Sequence, residues 1–341
     1  MRRTFHRTCL ATALALTAPL TGCAGLRDFV FGNPDPTLPA ALRGRLDTLY
    51  AQGATALARQ DLDGAIAAWR QHVAAAPTTL PSARRLRGYL TLMEREVARR
   101  AARAAAASEQ RLLPGPAPAG NRLQVALFPF ARLGPNAAND PFNRALLAMI
   151  TVDLSRVPSL VVLERERVEQ LLLELKLADS GLVDRATLAA PARLLGAGTV
   201  VTGTLLNEPG PSGPGSGRYK INAAALDMAS GRVFATPEAD GRQSQFFELQ
   251  KHIVYGLLEA LDVREIPPAV RHVHTRSWEA YRRFAAGLAL LAQDRYDEAR
   301  RTLRAALEAD PGFALAETAF HDVPERALTM EQIAAAARER Y

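Results

Sequence analysis

Cysteine and lysine are scarce in this sequence, and it has no long uncharged apolar run beyond its first residues. The cysteines are Cys9 and Cys23, and the lysines are Lys176, Lys220 and Lys251. No later stretch reaches the ~18 uncharged apolar residues that a transmembrane helix requires. The chain has 341 residues, of which 48% are hydrophobic, so it is long enough for two or three domains with packed cores.

A basic start followed by a short apolar run occupies residues 1–22. The run is too short to span a bilayer, and it ends in Leu20-Thr21-Gly22-Cys23, with two small residues before the cysteine. These features predict a secretory signal, and its last four residues resemble the lipobox of bacterial lipoproteins. The resemblance implies cleavage between Gly22 and Cys23, with acylation of Cys23 on its sulfur and on its new amino group. An ordinary signal peptide or an uncleaved short anchor is the alternative.

Loss of residues 1–22 would leave a weakly charged chain without a free thiol. The formal charge would fall from +7 to +4, because these residues contain three arginines and no acid. So small a charge gives little support for nucleic-acid binding. With Cys9 removed and Cys23 acylated, we expect no disulfide, thiolate nucleophile or cysteine metal ligand. The lipoprotein resemblance associates Ala24, in place of an aspartate, with export to the outer membrane of a Gram-negative bacterium, where the body would face the periplasm.

Composition and periodicity divide the rest of the chain into six segments. We predict a tether at 23–40, a helical region at 41–112, a Pro/Gly linker at 113–120, an α/β domain at 121–265, a second helical hairpin at 275–320 and a C-terminal helix at 321–341. In the last segment, Thr329 and Gln332 have the spacing of a capping box.

Both helical regions have the residue spacing of a tetratricopeptide repeat, a helical hairpin of about 34 residues. The residues are Gly53, Ala65, Trp69 and Pro77 in the first region and Gly287, Ala299, Leu303, Ala306 and Pro311 in the second. His72 departs from the pattern, which has alanine there. A lone repeat cannot bury its own face, so we expect Leu80 to Ala107 to cover the first hairpin.

This covering helix carries a basic run that allows two interpretations. The run comprises Arg84, Arg85, Arg95, Arg99, Arg100 and Arg103. It could contact anionic lipid or glycan, or it could be a solvated face, and we favour the solvated face.

From Asn121 onward, strands alternate with helices. Strands are predicted at 125–130, 160–163 and 199–206, with helices between them, followed by a hairpin at 219–227 and 232–235 and a helix at 244–261. This order predicts a three-layer α/β domain whose early strands are parallel.

Four motifs in this order resemble the CsgG-type curli-assembly domain: Val161–Arg165, Ser180–Asp184, Leu194–Ala197 and Val201–Thr204. The opening Val125–Phe130 also resembles the N-terminal domain of TolB. The resemblance covers Arg122 to Val263. In curli-secretion pores this domain has two long membrane hairpins, but here the corresponding segments, Asn207–Arg218 and Pro237–Arg242, are short and polar. The resemblance therefore favours the non-pore branch, which includes flagellar accessory and peptidoglycan-synthase-activating lipoproteins.

Few residues suggest catalysis or ligand binding. Glu164, Glu166 and Glu169 lie close together, and the resemblance implies carboxylates at a helix start rather than paired catalytic acids. His272 and His274 have no third ligand or carboxylate nearby in the sequence, so we do not expect a metal site. The loop containing Gly210, Gly213, Gly215 and Gly217 is followed by a strand, whereas a phosphate cradle opens into a helix. We therefore predict no catalytic, cofactor-binding or metal-binding residue.

The sequence as a whole favours a non-enzymatic, lipid-anchored envelope scaffold. It would bind protein partners through its α/β domain and its repeat hairpins, and the α/β domain could also form a homo-oligomer. The alternative is a component of a curli-type outer-membrane secretion or transport assembly. An enzyme such as a cell-wall hydrolase is the third hypothesis, and the lack of a triad or metal cluster weighs against it.

Overall fold

The structure is a computed structural model that describes residues 38–109, 121–133, 141–177, 185–208, 210 and 217–339. Several predicted features lie outside the described residues: Gly22 and Cys23, the signal peptide, the tether up to residue 37, the linker at 113–120, the Ser180–Asp184 motif and most of the glycine-rich loop.

The N-terminal helices are α1 (Ala40–Ala58), α2 (Leu62–Ala75) and α3 (Pro81–Glu109). Gln60, at a φ of 61°, turns the chain between α1 and α2, and the Asp61 carboxylate caps α2 by accepting a hydrogen bond from the Gly64 N–H. The two helices approach closely at Gly53, where an added Cβ would lie 2.2 Å from Trp69 Nε1. Leu86 and Met93 of α3 share the core of this hairpin. The predicted cover is therefore confirmed.

A mixed sheet forms the centre of the α/β domain. Its strands are β1 (Gln124–Leu127), β2 (Ala131–Leu133), β3 (Val161–Val162), β4 (Thr199–Glu208), β5 (Arg218–Asp227), β6 (Val233–Ala235) and β7 (Glu238–Arg242). The sheet order is β3-β1-β4-β5-β6, with β2 also paired to β4 and β7 to β5. β1 runs parallel to β3 and β4, as predicted, and β5 returns antiparallel to β4.

Helices cover both faces of this sheet. They are α4 (Phe142–Ser155), α5 (Arg165–Glu174), α6 (Arg185–Leu195) and α7 (Phe246–Ala260). Val125 and Leu127 share a core with α4 and α7, whereas Ala126 and Phe128 share one with α5 and α6. Successive side chains of a strand point to opposite faces, so the predicted three-layer α/β domain is confirmed.

Two strands were missed by the sequence analysis. The segment 237–242 has the polar composition of a connection, but Glu238–Arg242 forms β7 along β5. Its inward-facing residues are Ala239 and Gly241, which are too small to give the apolar alternation typical of a strand. β2, which begins directly after the predicted strand at 125–130, extends the parallel pairing along β4.

The C-terminal helices are α8 (Pro268–Arg271), α9 (Trp278–Ala292), α10 (Tyr296–Ala309), α11 (Ala314–Asp322) and α12 (Met330–Arg338). α9 and α10 form the predicted hairpin and turn at Asp294, whose φ is 58°. The predicted capping box at Thr329 and Gln332 is confirmed. The last helix begins at Met330, directly after this cap, and α11 occupies the start of the segment predicted at 321–341. Both hairpins are present, and their assignment as tetratricopeptide repeats stays a prediction.

The last helix packs on the first hairpin, a contact that the sequence analysis did not predict. Ile333 and Ala337 of α12 are buried in the same core as Tyr50 and Trp69. The Tyr50 hydroxyl donates a hydrogen bond to the Ala337 carbonyl, at 3.4 Å. The N-terminal and C-terminal helices therefore contact each other as well as the α/β domain.

Candidate functional site

Arg95 of α3 joins three parts of the molecule. Its guanidinium lies 2.9 Å from Asp294 and 3.6 Å from Glu166, and it donates to the Leu291 carbonyl at 3.2 Å. The Arg95 side chain is only 15% exposed. The turn of the C-terminal hairpin and the start of α5 are thus both held to α3 by this residue.

The glutamates that suggested paired acids are instead bound to separate arginines. Glu164 pairs with Arg70 of α2 at 3.4 Å, and Glu166 pairs with Arg95 of α3. Glu164 is the N-cap residue of α5 and Glu166 lies in its first turn, as predicted for carboxylates at a helix start, although the Glu164 side chain makes no cap hydrogen bond. The cluster is an interface between the helical region and the α/β domain.

Glu169 is the most enclosed of these glutamates. Burial disfavours its charge, but Arg165 and Arg144 outweigh this effect and lower the pKa of the carboxyl. Their guanidinium groups lie 2.9 Å and 2.7 Å from its oxygens. Glu169 is therefore ionised and paired, which does not suit a proton donor at neutral pH.

The basic run on α3 is not one solvated face. Arg95 and Arg103 pair with Glu166 and Glu174 of α5, whereas Arg99 and Arg100 pair with Glu96 of their own helix. The solvated interpretation is wrong for Arg95. The sequence could not show this, because the partner helix follows more than 60 residues later.

Aromatic side chains attach the C-terminal hairpin to the α/β domain. The Trp278 ring centroid lies 5.1 Å from that of Phe142 and 5.4 Å from those of Tyr219 and Phe246. The Tyr281 hydroxyl donates to the Phe142 carbonyl at 2.8 Å. Such rings bury large apolar areas and prefer offset or edge contacts, so they hold the hairpin against the α/β domain.

A buried charge cluster lies beneath the same hairpin. The Asp153 carboxylate of α4 lies 2.7 Å from Lys251 Nζ of α7 and 3.0 Å from His274 Nε2. The Gln250 amide donates to Asp153 at 2.9 Å, and Lys251 also donates to the Val270 carbonyl at 2.7 Å. The Asp153 side chain is fully buried. The cluster thus connects two helices with the segment that leads into α9.

The electrostatics of this cluster favour a structural role. Burial by itself raises the pKa of Asp153, but His274 and Lys251 outweigh it and hold that pKa below the ordinary value. Burial lowers the pKa of Lys251. A charged pair sealed from solvent cannot contact a substrate, so the cluster fixes α4, α7 and His274 relative to one another.

Asp153 supplies from a distant helix the carboxylate partner that His274 lacks nearby in the sequence. A signal was available in the sequence: Asp153 and Lys251 each interrupt an apolar helical stripe, and charged residues are rarely buried without a partner. His272 is exposed. Among the described residues, no group of three His, Cys, Asp or Glu side chains is placed to hold a metal ion.

A groove lies between α3 and the C-terminal segment. Its volume is about 240 Å³, and its walls include Arg85 and Tyr89 of α3 and Glu325, Leu328 and Glu339. Large apolar side chains are exposed elsewhere, at the sheet edge in Leu133 and Val161 and also at Leu173 and Val233. Within the described part of the chain, no helix is both long and apolar enough to cross a membrane.

Residues 129–220 match the family model described as curli production assembly/transport component CsgG. This segment is similar to the CsgG family. It begins after β1 and ends in β5, so β2, β3, β4 and the helices α4 to α6 lie within it. The predicted family resemblance is confirmed over these residues.

A similar solved structure is the LpoB C-terminal domain from Salmonella enterica. It is 11% identical, the alignment covers 41% of this chain and 95% of that chain, and the TM-score is 0.27. A score this low supports no argument about this protein. Comparison with curated proteins gave no match.

Proposed function

We propose that the protein is a non-enzymatic scaffold lipoprotein of the bacterial envelope. It is anchored to the outer membrane through Cys23, faces the periplasm and binds envelope proteins. The observation that carries this proposal is the CsgG-like segment, which packs against two sets of helices. These two sets also contact each other. Such an assembly presents fixed helical surfaces to a partner, which suits docking better than catalysis.

The lack of catalysis is part of the proposal. The titratable clusters in the described residues are already occupied: Glu166 and Glu169 by arginines, and Asp153 by Lys251 and His274. None of these carboxylates is left free beside a nucleophile, as general acid–base catalysis requires. Turnover of peptidoglycan by the purified protein would contradict this part.

Metabolic labelling with a fatty-acid analogue tests the anchor. The wild-type chain should incorporate label and fractionate with outer membranes, and Cys23→Ala should do neither. The variant should be released as a folded, soluble protein. Equal labelling of both chains would refute the anchor. Crosslinking in whole envelopes followed by purification of the anchored protein would then identify its partners.

Self-association through the α/β domain extends the same proposal. Val161 lies on the edge strand β3 and is 56% exposed, although it is a large apolar residue. An open sheet edge of this kind can pair with a second copy. Val161→Lys should reduce any oligomer measured by analytical ultracentrifugation, whereas an equal mass distribution for both proteins would exclude this edge.

A role in a secretion or transport assembly is the second candidate, and the family description favours it. The segments between β4 and β5 and between β6 and β7 are short, which weighs against it. Discrete ion conductance by the reconstituted protein would place transport ahead of scaffolding.

A further inference from the structure

Five arginines lie at the end of the molecule where the described chain begins. They are Arg43 and Arg45 near the start of α1, and Arg84, Arg85 and Arg87 near the start of α3. The two helix starts are neighbours, because Leu42 and Leu46 of α1 cluster with Leu80, directly before α3, and with Ala83 of α3. We call these five residues the arginine patch.

The arginines of the patch are not neutralised by ion pairs within the described part of the protein. None of its members forms an ion pair with a described residue, whereas Arg95, Arg99, Arg100 and Arg103 further along α3 all do. The first turns of α1 and α3 also contain no acid. The N-terminal amides of both helices therefore add to the positive potential of the patch.

Acidic residues border the arginine patch without cancelling it. Glu325 and Glu339 line the groove beside Arg85, together with the additional cation Arg326. Asp322 faces Arg87 from α11, and Asp47 lies on α1. The cations outnumber these acids, and Arg45 and Arg84 are exposed on the outer rim. The patch is thus suited to an extended anionic surface.

We propose that the arginine patch lies against the anionic phospholipid headgroups of the bilayer that holds Cys23. This inference rests on the proposed lipid anchor. Ala24 to Thr37 provide 14 residues between Cys23 and the described chain, so their reach is at most about 50 Å. Because the tether joins the described chain at the end that carries the patch, it keeps that end within this distance of the lipid surface.

Electrostatic attraction explains why contact, rather than mere proximity, follows. Its range is about 8 Å at physiological ionic strength, so only the tethered end can benefit from it. Juxtamembrane cations near an anionic leaflet each contribute measurably to adsorption. An anchor alone leaves the body free to rotate, whereas the patch would fix its orientation and direct the opposite surfaces away from the membrane.

Vesicle co-sedimentation tests the patch without the anchor. The probe is the mature chain from residue 23 with Cys23→Ser, mixed with vesicles of phosphatidylcholine containing 30% phosphatidylglycerol or none. We expect binding only to the anionic vesicles, and loss of binding in 500 mM NaCl. Combined Arg45→Gln, Arg84→Gln and Arg85→Gln should weaken the binding tenfold or more.

Two further proteins serve as controls. Replacing Arg232, Arg271 and Arg301 with glutamine removes the same charge from exposed sites away from the patch and should leave binding within twofold. Lysine at positions 45, 84 and 85 should restore binding, which separates charge from folding. Equal binding to both vesicle types, or equal losses in the two glutamine triples, would overturn the proposal. Failure of the labelling experiment at Cys23 would instead refute the anchor, since the vesicle assay uses a protein without the acyl group.

Discussion

In both helical hairpins a glycine of the first helix faces a large side chain of the second, and a residue at positive φ turns the chain between them. The pairs are Gly53 with Trp69 and Gly287 with Leu303, and the turns lie at Gln60 and Asp294. The two hairpins differ in how they are attached. The first hairpin itself reaches the α/β domain through half-exposed ion pairs such as Arg70–Glu164 and otherwise through α3, whereas the second is held by buried aromatics and the Asp153 cluster.

This difference indicates where the stability of the assembly resides. Exposed ion pairs contribute about 0–1 kcal/mol each. Breaking a buried charge pair costs about 3–5 kcal/mol, because the remaining charge stays buried without a partner. The C-terminal hairpin should therefore remain attached under conditions that already loosen the N-terminal one.

Substitution of Asp153 should have the largest effect. Asp153→Asn would leave Lys251 buried without its counter-charge and weaken the contact with His274. We expect a loss of about 3–5 kcal/mol in the free energy of unfolding, measured by urea denaturation. Glu164→Gln in the exposed pair should cost less than about 1 kcal/mol. Similar losses for the two variants would contradict the proposed difference in attachment.

A methyl group at the two glycines tests whether the hairpin interiors are equivalent. The Cβ of Gly53→Ala would lie 2.2 Å from the rigid Trp69 indole, whereas that of Gly287→Ala would lie 2.6 Å from the flexible end of Leu303. Overpacking should cost about 2–3 kcal/mol at position 53. At position 287 the leucine can move, and alanine regains about 1 kcal/mol of helix propensity, so the loss of stability should be smaller than at position 53.

Both glycine variants are compared with wild type by urea denaturation. Gly44→Ala is the matched control, because nothing lies within 4 Å of a Cβ at that position, and it should stabilise slightly. A larger loss at 287 than at 53 would show that Trp69 moves aside more easily than Leu303.

The hairpin interiors were predictable from the sequence because the contacts are local. Gly53 and Trp69 belong to one repeat, so their spacing alone indicates that they meet. The attachments of the hairpins were not predictable, because Asp153, Lys251 and His274 are far apart in the chain and no periodicity links them. The sheet shows the same contrast. The apolar stretch of β1 was recognised, whereas β7, with alanine and glycine facing inward, carried no apolar pattern.

The pH dependence of the free energy of unfolding tests the environment of Asp322, at the junction between the two sets of helices. Burial raises the pKa of this carboxyl to about 6, although Arg87 opposes the shift. A raised carboxyl pKa means that the folded state binds the proton more tightly than the unfolded state. Asp322 therefore disfavours folding progressively as the pH rises from about 4 to 6.

Asp322→Asn should remove this dependence and stabilise the protein at pH 7 by about 1–2 kcal/mol, allowing for partial solvent exposure. At pH 4 the variant and wild type should have nearly equal free energies of unfolding, since the aspartate is then protonated in the folded state. A constant difference between the two proteins from pH 4 to 7 would show that the carboxyl is not perturbed.

The smallest expected effect concerns the cap of the last helix. The Thr329 hydroxyl accepts a hydrogen bond from the Gln332 N–H at 3.2 Å, and the Gln332 side chain accepts from the Thr329 N–H. Thr329→Ala should cost about 1 kcal/mol. Because α12 packs on the N-terminal hairpin through Tyr50, hydrogen exchange should increase in α12 and α1 but not in α9.

Ser277→Ala, which removes the matching cap of α9, should produce the opposite pattern. If either variant loosened both hairpins equally, the two would form one cooperative unit despite their different attachments.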